Sequence, residues 1–309
     1  MFTYIIFYYN SNIMNIYDCF MYFDEDLLLD LRLNSLDKFV KKFVITEATY
    51  AHNGNKKKLQ FDINKFKKFK DKIEYLVVEK EPENIQHINK NDTKEKIGEK
   101  LILNGMARDY FQRENLNRGL KNINENDLIL ISDLDEIPNL NNLSSSKINN
   151  NILIFEQDLF YYKFNLLYRN FVWHGTKGIK KKNFISPQWL RNIKGKKYSK
   201  WRLDAFFSKK KYSNILFIKK GGWHFSCVKT PAELHKKLSN FAHHYEYQKS
   251  NIQVNDLEKM MGENRAVYDY QVDMKKNKWK GEKILEKINI SLLPKYIQHN
   301  LDKFKDWIH

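Results

Sequence analysis

Cysteine is nearly absent. Cys19 and Cys227 are the only two in 309 residues, so a disulfide framework is excluded and a reducing compartment fits. No stretch reaches the roughly 18 uninterrupted apolar residues that a membrane-spanning helix needs, and none is expected. The apolar start, Met1 to Tyr9, is too short to span a bilayer and has neither a basic leader nor a small-residue cleavage site. A cytoplasmic location is therefore expected. The chain has no Gly-x-x-x-x-Gly-Lys-Ser/Thr loop and no Gly-x-Gly-x-x-Gly after its first strand. Both lacks argue against a P-loop NTPase and a dinucleotide-binding Rossmann domain. His235, His243 and His244 show no metal-ligand spacing with cysteine, so no structural zinc is expected. No internal repeat is visible.

Positive charge, by contrast, is abundant. Fifty-four Lys and Arg against 37 Asp and Glu give a net charge of +17 and a pI near 9.5. Such a balance favours an anionic partner: phosphorylated substrates, an acidic membrane surface or nucleic acid. Lys and Asn also fill polar positions throughout, as in Asn149-Asn150-Asn151 and Lys180-Lys181-Lys182, which a compositional bias alone would produce. No nucleic-acid-binding motif is present, so nucleic acid is not an expected partner. With 42% hydrophobic and 15% aromatic residues the chain can build a sizeable core.

One stretch stands out. Asp127-Leu-Ile-Leu-Ile-Ser-Asp133-Leu-Asp135-Glu136-Ile-Pro138 is a short β-rich apolar run that meets three acids and stops at proline. The run reads as a buried central strand ending near Ile137, because Pro138 cannot continue a ladder. Open α/β sheets bind ligands at the carboxyl ends of such strands. Strand alternation would put Asp133 and Asp135 on one face and Glu136 on the other. Two carboxylates there make a hard-oxygen site for Mg²⁺ or Mn²⁺, a metal usually shared with the phosphates of a nucleotide. The plainer reading is a solvated turn that happens to carry acids.

Around it, the spacing predicts strands at Ile16–Phe23, Phe39–Thr46 and Ile73–Val78, with a helix near Leu29–Leu36. It predicts a basic amphipathic helix over Phe61–Lys72 and a long helix over Lys94–Lys121 that carries Arg108, Gln112 and Arg113. A linker begins at Ser144-Ser-Ser. Further strands are expected at Ile152–Glu156, the aromatic run Leu159–Tyr168, and Ile215–Ile218. Gly221-Gly222-Trp223-His224 reads as close backbone approach with an imidazole held at a bend, and Pro231–Tyr247 as a helix. Strand and helix alternate, which argues for a mostly parallel α/β sheet with helices on both faces.

His224 is a candidate third metal ligand or phosphate contact, set against an ordinary structural histidine. Arg108, Arg113 and Arg191 are candidates to pair with a diphosphate. A metal bridging that diphosphate would stabilise a departing nucleoside diphosphate. The acids alone leave open whether a glycosyl or a nucleotidyl group is transferred.

A series of segments, nearly full length from about residue 14, resembles glycosyltransferase family 17, the family of the β-1,4-mannosyl-glycoprotein N-acetylglucosaminyltransferase. The series runs from Ile16-Tyr-Asp-Cys-Phe and Leu-Asp-Leu-Arg32-Leu through Phe43-Val-Ile-Thr-Glu47-Ala-Thr49 and Gln112-Arg113-Glu-Asn. It continues with Ile131-Ser-Asp133-Leu-Asp135-Glu136-Ile-Pro138, Phe160-Tyr-Tyr-Lys-Phe-Asn165, Gly222-Trp223-His224-Phe225-Ser226, Lys236-Lys-Leu-Ser239 and Leu293-Pro-Lys-Tyr-Ile.

The resemblance implies a Rossmann-like GT-A fold, expected over 14–250 with 251–309 as a C-terminal helical segment packed on it. A second Met at position 14 marks 1–13 as an expected extension ahead of it. It implies inverting transfer from a UDP-sugar, UDP-N-acetylglucosamine, to a glycan, glycoprotein or glycolipid acceptor. On that pattern Asp133 and Asp135 hold metal and diphosphate, Asp135 touches the cation, and Trp223 and His224 line the same site. Inversion needs a general base, for which Glu136, Asp158 and Glu246 are candidates. Glu47 either contacts the nucleoside or caps a loop. Without an anchor or secretory route, a cytoplasmic enzyme making a surface glycan or lipid-linked sugar is expected, its basic surface near anionic lipid. The alternatives are a nucleotidyltransferase using the same acids and a non-catalytic glycan-binding module.

Overall fold

The computed structural model describes residues 14–143, 148–149, 151–199, 201, 204, 208–241, 244–273 and 277–309. The expected extension over 1–13, the Ser144–Ser146 linker and His243 lie outside the described residues.

Parallel strands β1 (Ile16–Met21), β2 (Lys42–Ala48) and β3 (Ile73–Val78) open the chain. Helix α1 (Asp26–Leu36) joins the first two. Helix α2 (Lys94–Glu114), capped by the Thr93 side chain, leads through a 3-10 turn at Asn115–Leu120 to β4 (Leu128–Ile131). Next come β5 (Glu136–Pro138), β6 (Ile152–Tyr161), β7 (Leu166–Lys180), helix α3 (Pro187–Asn192), β8 (Ile215–Ile218) and β9 (Gly222–Ser226). Helices α4 (Pro231–Leu238), α5 (His244–Ser250) and α6 (Val254–Gly262) follow, then β10 (Glu286–Lys287). The strands form one sheet in the order β3-β2-β1-β4-β7-β6-β9-β5, with β8 on β6 and β10 on β7. β4 lies parallel to β1 but antiparallel to β7, which reverses the sheet beside the acids. The result is a curled, mostly parallel sheet flanked by helices, a Rossmann-like glycosyltransferase fold as expected.

β4 is apolar throughout because it is buried on both faces. Leu128 and Leu130 join the core beneath α1, while Ile129 and Ile131 pack with Leu116 and Leu190 on the other side. A third core, around Tyr161, Tyr168, Leu234 and Leu257, ties α4 and α6 to β6 and β7.

Several boundaries differ from expectation. The central strand stops at Ile131. Asp133 and Asp135 lie in a turn, and Pro138 ends a separate short strand, β5, paired antiparallel with β9. Being the outermost strand of the sheet path, β5 tolerates a proline. The basic segment before β3 is 3-10 over Ile63–Lys72, kinked at Phe66, rather than an α-helix. The aromatic run is broken at Tyr162, which adopts φ 62°, so β6 and β7 form an antiparallel pair. His224 sits within β9 instead of at a bend, although Gly222 does allow close approach. Its φ is 131°, and a Cβ there would come within 2.1 Å of the Ile137 carbonyl oxygen. The expected helix over 231–247 is two helices, and the segment from 251 on holds short helices amid much irregular chain.

Candidate active site

At the carboxyl end of β4 the chain must turn sharply while carrying three acids. Arg32, from α1, holds that turn. Its guanidinium donates to the backbone carbonyls of Asp133 (3.2 Å), Leu134 (3.2 Å) and Glu136 (2.8 Å), to Ser132 Oγ (2.6 Å), and to both oxygens of Asp18. The Asp133 and Glu136 carbonyls also accept from the Glu136 N–H (3.1 Å) and the Thr176 hydroxyl (3.1 Å). Arg32 therefore ties together a turn that is already partly paired and supplies the donor for the Leu134 carbonyl.

The turn lies at the floor of a cleft of about 1190 Å³. Asp133 is shared by two arginines, Arg191 Nη2 at 2.6 Å from Oδ2 and Arg113 Nη2 at 3.2 Å from Oδ1. Arg113 is itself held by Asp109 and Gln188. Asp135 faces the other way, with His224 Nε2 at 3.5 Å and Lys237 Nζ at 3.7 Å. Burial works against the charged form of Asp135, but His224 and Lys237 outweigh it and hold the carboxyl well below the usual carboxylate range. Burial pushes Asp133 up against the pull of Arg191.

Glu136 does not turn away from this group. It is wholly buried; Oε2 accepts the Asp133 N–H (2.9 Å), Arg191 straddles both oxygens at 2.7 Å, and Trp173 Nε1 donates at 2.5 Å. Burial opposes its charge too, and Arg191 overcomes that and keeps it ionised. The expected alternation fails because β4 has already ended.

The remaining sequence candidates separate cleanly. Glu246, on α5, lines the cleft. Asp158 is exposed on β6, and the alternating neighbour that faces Glu136 and Trp173 is Gln157. Trp223 alternates away from His224 and donates to the Leu292 carbonyl (2.9 Å), so it does not line the cleft. Glu47 is wholly buried and takes the Lys57 ammonium, the backbone N–H of Gln60 and Phe61, and the Tyr75 hydroxyl. Its place is that of a loop anchor. Arg108 pairs with Glu81 outside the cleft.

Sequence reasoning missed Arg32, Lys237 and Trp173 as site residues. Arg32 had a signal: it shares an apolar helix face with Leu29, Leu33 and Leu36, and a charge on a buried face must find a partner. Trp173 had none, because the strand that carries it was not foreseen.

The sequence profile of glycosyltransferase family 17 matches residues 7–308, essentially the whole chain. The chain belongs to glycosyltransferase family 17. Comparison with curated proteins finds none that matches. In this family-17 glycosyltransferase, no helix among the described residues is long and apolar enough to cross a membrane.

The fit of the site to a divalent cation is uneven. Among the described residues no group of three or more His, Cys, Asp or Glu side chains is arranged to hold a metal. Asp133 fits poorly, since guanidinium groups engage both its oxygens. Asp135 and His224 fit better. Their 3.5 Å separation is longer than an ordinary hydrogen bond. It is His224 Nε2 that faces Asp135, while Nδ1 is buried with no partner among the described residues. The hydrogen bond that usually orients a ligating imidazole through its other nitrogen is thus not provided by them.

Proposed function

We propose that the enzyme transfers a sugar, N-acetylglucosamine, from a UDP-sugar to a glycan acceptor with inversion, assisted by Mn²⁺ or Mg²⁺. The observation that carries this reading is the meeting of Asp135 and His224 at the carboxyl end of β4, inside a cleft where Arg113, Arg191 and Lys237 converge. Asp135 and His224 would hold the cation, and one carboxylate and one imidazole suffice when substrate phosphates complete the shell. A bound cation supplies charge neutralisation at the diphosphate.

The chain's own groups do the rest. Arg191 and Arg113 stand beside Asp133, oriented by it to receive the diphosphate, and Lys237 is poised for negative charge developing on the leaving UDP. Asp133 thus orders the arginines instead of ligating metal. The nucleoside would enter the flank made by residues that follow β1 and β2, among them Tyr22, Tyr50 and His52. Of the three candidate bases, Glu246 alone lines the cleft, and we assign it the acceptor proton. The acceptor would be a glycan, glycoprotein or glycolipid. With Glu136 clamped and buried, and the family that of glycosyltransferases, the nucleotidyltransferase alternative loses its third carboxylate.

A UDP-release assay across a panel of UDP-sugars, with and without Mn²⁺, tests the reading. Release from UDP-N-acetylglucosamine that requires metal, is abolished in Asp135→Asn and is strongly reduced in Glu246→Gln is expected. A folded protein that binds neither UDP nor Mn²⁺ by calorimetry would overturn it.

A further inference from the structure

The cleft, at about 1190 Å³, exceeds the roughly 300–1,000 Å³ typical of a site for one small ligand. The sheet order explains its shape. β4 stands between β1 and β2 on one side and β7, β6 and β9 on the other, so the acids divide the cleft into two flanks. The β1–β2 flank is the nucleotide end of an α/β sheet. The other flank is an aromatic wall supplied by Trp173, Tyr268, Tyr270 and Trp279.

These rings are not simply core. Behind them Tyr168 and Tyr247 are 0% and 2% exposed, whereas Tyr268, Tyr270 and Trp279 are half-buried and line the cleft. The front rings brace one another edge to face. Tyr268 lies 4.8 Å from Tyr270 at 63° and 4.9 Å from Trp279 at 76°. The segment that carries them is pinned to β6 from below: the Tyr161 hydroxyl donates to the Tyr268 carbonyl (3.2 Å) and the Tyr162 hydroxyl to that of Arg265 (2.9 Å). Two non-glycine residues with left-handed backbone, Tyr162 (φ 62°) and Cys227 (φ 59°), sit side by side where β6 and β9 end beneath the wall. Left-handed backbone at non-glycine residues is strained, and such strain gathers at functional sites. Glu246, Ser250 and Asn277 also line the cleft, and α5, which carries the first two, meets the wall where Tyr247 packs on Trp279 with ring centroids 5.4 Å apart.

A rigid aromatic face ringed by amide, hydroxyl and carboxylate groups matches one chemistry well. A hexopyranose has an apolar C–H face and a polar rim. We infer that Tyr268 and Trp279 form the acceptor subsite and stack against the terminal neutral hexopyranose of a glycan. This rests on the glycosyltransfer reading above, which assigns the opposite flank to the nucleotide.

The test is a titration of the full chain, with UDP and Mn²⁺ present, with N,N′-diacetylchitobiose, mannobiose and lactose, followed by tryptophan fluorescence and calorimetry. At least one disaccharide should bind. Trp279→Ala should weaken it by about tenfold or more and Trp279→Phe by no more than about threefold, the scale of one stacking contact. UDP affinity should be the same in all three proteins, which also reports that the variants fold. If Trp279→Ala does not fold, Tyr268→Ala is read in the same way. A protein that binds UDP but none of the three sugars, or a Trp279→Ala protein that binds them as the parent does, would overturn the subsite. Disaccharide binding without UDP affinity would instead sink the donor assignment and leave the subsite standing.

Discussion

Arg32 and Asp18, both wholly buried, form a two-pronged ion pair, with Nε 2.7 Å from Oδ2 and Nη2 2.6 Å from Oδ1. Asp18 orients the guanidinium, and its free edge then fixes the turn bearing Asp133 and Asp135. Arg32→Met strands the Asp18 carboxylate in the core, and unfolding free energy in urea should fall by about 3–5 kcal/mol. The double variant Asp18→Leu with Arg32→Met should regain much of that stability, since apolar residues commonly replace a buried pair at little cost. It should not regain UDP release, because the turn still lacks the guanidinium that ties its Leu134 and Glu136 carbonyls to Ser132 and α1. Recovery of activity in the double variant would refute the positioning role.

Lys237 reaches Glu25 at 3.3 Å and Asp135 at 3.7 Å. If it meets charge developing on the leaving group, Lys237→Met should lower turnover by about 10²-fold, the loss typical of one preorganised donor. The Michaelis constant for the donor should change less. Lys237→Arg should retain a large part of the activity. Steady-state kinetics on the three proteins decides it.

Glu47 anchors the loop running from Lys57 to Phe61. Glu47→Gln should therefore cost stability, about 1–3 kcal/mol for the acceptor bonds weakened, and leave the calorimetric affinity for UDP within about twofold, well under one 1.4 kcal/mol decade. A selective loss of UDP affinity at unchanged stability would make it a nucleotide ligand.

Burial pushes the Lys177 ammonium down to about 7, with the Arg191 guanidinium adding to the effect. Its Nζ donates to the Ile193 carbonyl (2.6 Å) and to that of Arg191, holding the end of α3. The unfolded chain keeps this proton up to the ordinary lysine value, near 10.4. Between about pH 7 and 10 the unfolded state thus binds more protons, and this group's contribution to stability rises with pH. In Lys177→Met that contribution vanishes. Urea midpoints across pH 6 to 10 should show the variant's standing relative to the parent worsening as pH rises. A difference that does not vary with pH would show that Lys177 has an ordinary affinity for its proton.

Much of this fold was legible in sequence because it is local. β3 falls at its predicted bounds, and α1, β1 and β2 differ from expectation by a few residues at their ends. The acid cluster was visible as an apolar run meeting carboxylates. Its geometry was not, since the step from β4 to β5 is set by a strand contributed much later, β9. Glu136 illustrates the cost: alternation along one strand put it on the wrong side. The partners of a buried charge were equally hidden, because Arg191 and Lys237 come from short helices whose positions depend on tertiary packing. The aromatic wall had no periodic signature, as Tyr268, Tyr270 and Trp279 lie in irregular chain.

Because Glu136 pairs with His224, and Pro138 with Gly222, the two site segments are registered to each other by backbone, one residue at a time. Neither can drift in evolution alone. A single-residue insertion between Glu136 and Pro138, or between Gly222 and His224, would flip every following side chain and part Asp135 from His224. The two segments therefore form one heritable cassette. Grafting either alone into a relative should give a silent chimera, and grafting both should carry the site across.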